Sequence, residues 1–203
     1  MAKVALIGAS GNAGSRILKE LSDRGHAVTA IARNPDKIAA LPGVTAIKGD
    51  AQDGAALAEL VRGHDAVVSS TRFTGTNFTI ITDALRKAGV TRYLVVGGAA
   101  SLEVAPGKRL LDQPGFPEAY KEEATNGAAT LDYLRSLDDI DWTFLSPSAM
   151  FVPGERTGSF RLAKDELLSR EDGSSISFED YAIAMSDEIE EPKHIRQRFT
   201  AGY

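Results

Sequence analysis

Gly8, Gly11 and Gly14 stand in one run, Gly8-Ala9-Ser10-Gly11-Asn12-Ala13-Gly14, and such a run can hold an anion through main-chain amides alone. That chemistry asks for a first glycine at a sharp turn off a strand and a second where the backbone approaches a diphosphate. A third lets helix and strand pack closely. The flanks meet the requirement. Lys3-Val4-Ala5-Leu6-Ile7 reads as a buried parallel strand, and Ile17, Leu18 and Leu21 share one helical face before a stop at Arg24-Gly25. The spacing is G-x-x-G-x-x-G rather than the commoner G-x-G-x-x-G, and a glycine triad also suits a tight turn with no ligand. Placement between a strand and a helix favours a dinucleotide-binding loop.

Other residues with binding chemistry close the short apolar runs further on. Arg33 follows Ala30-Ile31-Ala32, about 20 residues past the glycines, where an NAD-selective site places an acid for the ribose 2′-hydroxyl. A guanidinium there suits a 2′-phosphate, and no acidic residue lies between Val28 and Pro35, so NADPH is expected to be preferred to NADH. Stacking on adenine is the alternative role for Arg33. Asp50 and Ala51 follow the next run, with a helix N-cap as the alternative for Asp50. Ser69, Ser70 and Thr71 close another, Gly97 and Gly98 the next, and Ser146 and Pro147 the last; all are candidate cofactor contacts.

The elements that must position these residues repeat one unit. Strands are expected at 28–32, 44–48, 66–69, 93–96 and 142–145. Helices are expected near 36–41, at 55–61, from about 76 to 88 and at 118–137, with Gly25, Gly63 and Gly89 in left-handed caps. Strands alternating with helices over short loops make a doubly wound parallel α/β sheet with right-handed crossovers. In such a sheet ligands bind beyond the carboxyl ends of the strands. His26 and His64 lie at the amino ends and His194 near the tail, so all three read as solvated and no catalytic histidine is expected. Past Pro147 the pattern changes: 160–163 and 166–168 suggest a hairpin turning at Lys164-Asp165. Ser177-Phe178-Glu179-Asp180 suggests a capping box with Asp180 in the glutamate position, and 198–200 a last strand. The expectation is a single domain over 1–203, with residues 148–203 a substrate-side annex.

Composition is compatible with this and excludes much else. The 203 residues suffice for one well-cored domain, and the net charge of −5 argues against nucleic acid or an anionic membrane as partner. With no cysteine there is no disulfide, thiolate nucleophile or cysteine metal site, and no metal is expected. No apolar stretch approaches the roughly 20 residues of a membrane span, and the first strand occupies the start of the chain, so a cytoplasmic protein is expected. Pairing of two copies through the helices that carry Phe78 and Tyr133 stays open.

The glycine loop, Val95-Val96-Gly97-Gly98-Ala99-Ala100-Ser101-Leu102, Phe116-Pro117-Glu118-Ala119-Tyr120-Lys121, Leu145-Ser146-Pro147, Gly154-Glu155-Arg156-Thr157-Gly158 and Ser177-Phe178-Glu179-Asp180-Tyr181-Ala182 together resemble the atypical short-chain dehydrogenase/reductases. The similarity is to a small NAD(P)H-binding branch provisionally labelled NADH-flavin reductases, with biliverdin/flavin reductases more distant, and it spans essentially the whole chain. It implies a Rossmann fold with a small C-terminal annex, a nicotinamide cofactor, and an adenine contact for Asp50. Ser101 and Tyr120 fall near the family's catalytic serine and tyrosine. The usual Tyr-x-x-x-Lys pair, in which lysine lowers the tyrosine pKa, is broken: four residues after Tyr120 stands Ala124. Reduction of an ordinary ketone loses its acid, whereas a flavin or quinone can delocalise the charge it receives. The expectation is therefore an NAD(P)H-dependent reductase of a planar conjugated acceptor. The alternatives are an NADP-binding redox sensor with little turnover, or an epimerase or isomerase that keeps its nicotinamide.

Overall fold

Runs dominated by Val, Ile, Leu and Ala form strands buried on both faces, and amphipathic segments between them return the chain over the sheet. The computed structural model describes residues 1–203. Its first half runs β1 (Lys3–Ile7), α1 (Asn12–Asp23), β2 (Ala27–Ala32), β3 (Val44–Lys48), α2 (Gly54–Val61), β4 (Ala66–Ser69), α3 (Phe78–Ala88) and β5 (Arg92–Val96). The second half runs β6 (Glu103–Ala105), β7 (Lys108–Arg109), α4 (Glu118–Arg135), β8 (Asp141–Pro147), β9 (Met150–Val152), β10 (Arg161–Ala163), β11 (Ser175–Ser177), α5 (Phe178–Glu190) and β12 (Gln197–Gly202). The main sheet has the order β10-β12-β8-β5-β4-β1-β2-β3, parallel throughout except for β10 at one edge. Order reverses between β1 and β4, which opens a crevice beyond their carboxyl ends.

Each face of the sheet carries its own core. On one, Ile17, Leu18 and Leu21 of α1 pack with Tyr181 and Met185 of α5; on the other, Leu57, Ile81, Leu85 and Leu131 come from α2, α3 and α4. The doubly wound α/β architecture expected from the repeat is the one observed. No helix is long and apolar enough to cross a membrane. Residues 148–203 are woven into this body: β12 pairs parallel with β8, and α5 lies against α1.

Four local expectations need correction. The helix near 36–41 is only a 3-10 turn over Pro35–Lys37, because Pro42-Gly43 follows too soon for a second turn. The hairpin at Lys164-Asp165 does not form: β10 pairs antiparallel with β12, and Leu167 instead donates its amide to Glu103 O at 2.9 Å. Asp165 is drawn aside by a 2.6 Å ion pair with Arg198. The capping box is half made. Ser177 Oγ accepts from the Asp180 amide at 3.0 Å, but the Asp180 carboxylate turns to the Tyr203 hydroxyl, the Thr157 hydroxyl and the Gly158 amide. Finally, the histidines are structural rather than solvated. His26 is buried against Glu190 at 2.8 Å, His64 joins Thr29, and His194 stacks on Phe199 while bonding Glu188 at 2.7 Å. All three sit away from the β1/β4 crevice, because β2, β4 and β12 begin beside them.

Candidate active site

The crevice begins with the loop that leaves β1. Gly8 takes φ 79, and a Cβ there would lie 2.3 Å from Ser70 O, so only glycine lets β1 and the end of β4 run this close. Gly14 is equally constrained, since a Cβ would fall 2.2 Å from Gly8 O where α1 meets its strand. Gly11 differs. It is the N-cap of α1, with no side-chain cap and no acidic residue in the first turn. The amides of Ser10, Asn12, Ala13 and Gly14 donate to no acceptor in the protein. A helix start left this bare, with positive partial charge, is an anion cradle.

Around that cradle lies a cleft of about 400 Å³. Gly8, Ser10 and Gly11 form one wall, Arg33 with Asp50 and Ala51 another, and Ser70 and Thr71 the third. Arg33 is exposed and has no carboxylate within salt-bridge distance, which leaves its guanidinium free for a ligand. The N-cap of α2 is Asp53, not Asp50; Asp50 accepts the Gln52 amide at 2.9 Å in a local turn and keeps its other oxygen for the cleft. Two buried polar atoms in the cleft wall, Thr71 Oγ1 and Gln52 Nε2, lack any protein partner. Unmet donors of this kind, beside a bare helix start and a free arginine, suit a phosphorylated dinucleotide.

Not every residue expected at the cofactor arrives there. Ala9 is buried behind the loop, its amide directed at Ile31 O. Ser69 is buried with its hydroxyl 2.8 Å from Tyr93 Oη, because strand alternation turns it into the core while Ser70 faces out. Burial in the core pushes the Tyr93 phenol above its ordinary value, and the Ser69 bond lowers it only in part, so this is a neutral packing contact. Ser146 is buried as well and stays off the cleft wall.

A second cavity, of about 650 Å³, adjoins the cleft through the loop between β4 and α3. Thr71, Arg72 and Thr74 face the cleft, and Phe73 faces the cavity. Gly97, Gly98, Ser101, Tyr120 and Pro147 line this cavity, with aromatic walls from Phe73, Phe116 and Phe151. Tyr120 is 66% exposed at the mouth. Ala124 stands where lysine would complete a Tyr-x-x-x-Lys pair, and Lys121 instead reaches Glu118 at 3.3 Å. Ser101 Oγ accepts from Arg198 at 3.2 Å, and Arg198 in turn pairs with Asp165.

Glu123 is the residue that sequence reading missed. Its two carboxylate oxygens accept the amides of Phe73 at 2.7 Å and Thr74 at 2.8 Å, which ties α4 to the loop shared by cleft and cavity. No local pattern signals this, since the partners lie about fifty residues upstream. Burial raises the Glu123 pKa, but the Thr74 side chain, the Thr74 and Phe73 amides and the Arg72 guanidinium outweigh it and hold it below the ordinary glutamate range. A depressed carboxylate stabilises the fold above its unfolded pKa and loses that contribution as pH falls through the folded value. Glu123→Gln should therefore melt lower than the parent at neutral pH, with the two curves converging as pH falls through the depressed folded value of Glu123. Thermal melts across that range check it; curves that stay parallel would refute the clamp.

Comparison with known proteins follows the same lines. The sequence profile of a family described as NAD(P)H-binding matches residues 8–192. The uncharacterized protein YwnB of Bacillus subtilis (strain 168) is 44% identical over 209 residues, covering 98% of this chain and 97% of its own. A provisionally named epimerase from Bacteroides thetaiotaomicron is 42% identical with a TM-score of 0.93, covering 100% of this chain and 97% of that one. A provisionally named NADH-flavin reductase from Streptococcus pneumoniae TIGR4 is 37% identical with a TM-score of 0.83, covering 100% and 99%.

Proposed function

Because the chain belongs to the NAD(P)H-binding family, we propose that it is a reductase that uses NADPH in preference to NADH to reduce a planar conjugated acceptor of the flavin or quinone kind. The observation that carries the reading is the pair of adjoining cavities: a polar cleft with free amides and a free arginine, then an apolar aromatic cavity without a Tyr-Lys pair. The amides of Ser10, Asn12, Ala13 and Gly14 hold the diphosphate, Arg33 the 2′-phosphate, and Asp50 with Ala51 the adenine end. Thr71 and Ser70 guide the cofactor toward Gly97 and Gly98, where small residues leave room between the two sites. When bound, the reduced nicotinamide supplies hydride. Phe73, Phe116 and Phe151 then orient a flat acceptor and keep water from its faces.

Proton supply sets this reading apart from ketone reduction. A delocalised acceptor tolerates negative charge until solvent protonates it, so an exposed tyrosine without lysine suffices. Tyr120→Phe should lower turnover of such an acceptor by far less than the roughly 10²–10⁴ that removal of a general acid costs. Steady-state rates at saturating NADPH measure this, and a loss of that full size would return ketone reduction to the front.

The likeness to a protein named as an epimerase raises a second reading, in which hydride is removed and returned. Such a site needs polar groups to grip a hydroxylated substrate. The cavity wall instead offers Ser101, Ser148 and Gln113, all already bonded within the protein, Glu123, spent on two amides, and at the mouth the single hydroxyl of Tyr120. A sensor with little turnover would show the same cleft. Adding a quinone or riboflavin to protein and NADPH separates the two: loss of the NADPH absorbance supports the reductase, and none with any acceptor overturns it.

A further inference from the structure

The acceptor cavity carries almost no charge. Among its lining residues only Glu123 is ionised, and no lysine or arginine reaches its wall. Cations on the surrounding segments are already committed: Lys121 to Glu118, Arg109 to Asp112 at 2.7 Å, and Arg198 to Asp165. Arg72, 80% exposed, lies on the cofactor side of the shared loop and pairs with the Glu123 carboxylate at 3.7 Å. The apolar side chains, by contrast, are extensive and include Leu110, Phe116, Met150 and Phe151. Ser101, Ser148 and Gln113 each bond within the protein, and the Tyr120 hydroxyl at the mouth is the polar side-chain group left without a protein partner, so no cation remains to grip a phosphorylated tail.

From this we infer that the acceptor is an uncharged lipophilic quinone, and that the cavity selects against phosphate-bearing flavins. The inference rests on the reductase reading and narrows it. A flavin phosphate carries close to two negative charges near neutral pH, and here it would find no lysine or arginine on the wall, only the Glu123 carboxylate, whose partner Arg72 stands on the cofactor side of the loop. A neutral quinone needs only flat apolar walls, which Phe73, Phe116 and Phe151 supply. The reaction balances as quinone, NADPH and one proton giving hydroquinone and NADP⁺. The C–H bond to the departing hydride breaks in the cofactor, and the quinone takes the hydride. The remaining proton comes from water at the mouth beside Tyr120.

Riboflavin and FMN make a matched pair, since they share one ring system and differ by the phosphate. Titrated against the protein with NADP⁺ present, riboflavin should quench at least as tightly as FMN. Menadione should show a higher kcat/KM than FMN when NADPH oxidation is followed. Met150 lies on the rim and is 59% exposed, so Met150→Lys leaves the core intact while placing a cation at the mouth. That variant should raise the affinity for FMN relative to riboflavin roughly twofold to fivefold, the worth of an exposed ion pair. Tighter binding of FMN than riboflavin by the parent, or an equal gain for both ligands in the variant, would overturn the inference. If no acceptor is reduced the reductase reading falls, and the flavin titrations still decide the charge preference by themselves.

Discussion

Gly11→Asp should abolish cofactor binding while leaving the unliganded protein as stable as the parent, or more so. Gly11 sits at φ −78 and ψ 173, extended backbone that any residue adopts, and a Cβ would meet only Gly8 O at 3.3 Å and Ser70 O at 4.0 Å. The backbone conformation therefore costs nothing, and the strain is confined to the Gly8 carbonyl, which must give by a few tenths of an ångström. Aspartate is among the best N-cap residues, and α1 lacks both a side-chain cap and an acid in its first turn, so the new carboxylate gains about 1 kcal/mol of helix stability. That gain is the reason binding fails. The carboxylate bonds the Ala13 and Gly14 amides that a diphosphate requires, and it repels the diphosphate as well.

Charge-assisted bonds are worth roughly 1.5–3 kcal/mol each, so losing two weakens affinity by at least about a hundredfold. The parent should gain about 2.7 kcal/mol of stability at a cofactor concentration 100 times its Kd, and the variant no more than about 0.4 kcal/mol. Gly11→Ala is the control: it adds bulk without charge and should lose far less. A variant that melts like the parent and is still stabilised by NADPH would show that the loop does not hold the diphosphate.

The part of the site that this variant probes was readable because it is local. One strand, one turn and one helix occupy residues 3–23, and the sequence alone sets which amides remain free. The parallel sheet was readable for the same reason, each strand–helix unit being bounded by its own caps and turns. What escaped was whatever depends on distant partners. Ser69 looks like a cleft residue by its place at a strand end, yet the pleat turns it toward Tyr93. Lys164-Asp165 looks like a turn, but Arg198, far along the chain, fixes Asp165 instead. The half-made capping box has the same cause, since Asp180 answers to Tyr203 and Thr157 rather than to its own helix start. Glu123 gave no signal, because its meaning lies in two amides on another element. Gly127 shows the same limit: a Cβ there would lie 3.0 Å from the Phe73 ring, a contact that spacing along α4 does not reveal.

Arg33→Ala should cost NADPH roughly tenfold to a hundredfold in affinity and scarcely alter NADH, since a hydrogen bond to a charged group is worth about 1.5–3 kcal/mol. The guanidinium stands exposed at the cleft with no carboxylate partner to break from, so it meets a 2′-phosphate without losing an existing ion pair. Exposure and salt both weaken such a contact, which places the expected loss toward the lower end and makes it shrink as ionic strength rises. Asp50 shares the cleft and opposes the phosphate in part, although its carboxylate is tied to the Gln52 amide. Arg72 is the rival cation, lining the same cleft at 80% exposure of its side chain. It lies on the loop after β4 rather than at the end of β2, so Arg72→Ala should leave the NADPH-to-NADH ratio unchanged. Titrating both cofactors against the parent and the two variants at one fixed ionic strength separates these roles. If Arg33→Ala weakens both cofactors equally, the guanidinium stacks on adenine instead of pairing with phosphate. If the parent binds NADH and NADPH alike, Arg33 does not select the cofactor, and the other cation of the cleft wall, Arg72, already pairs with Glu123 at 3.7 Å.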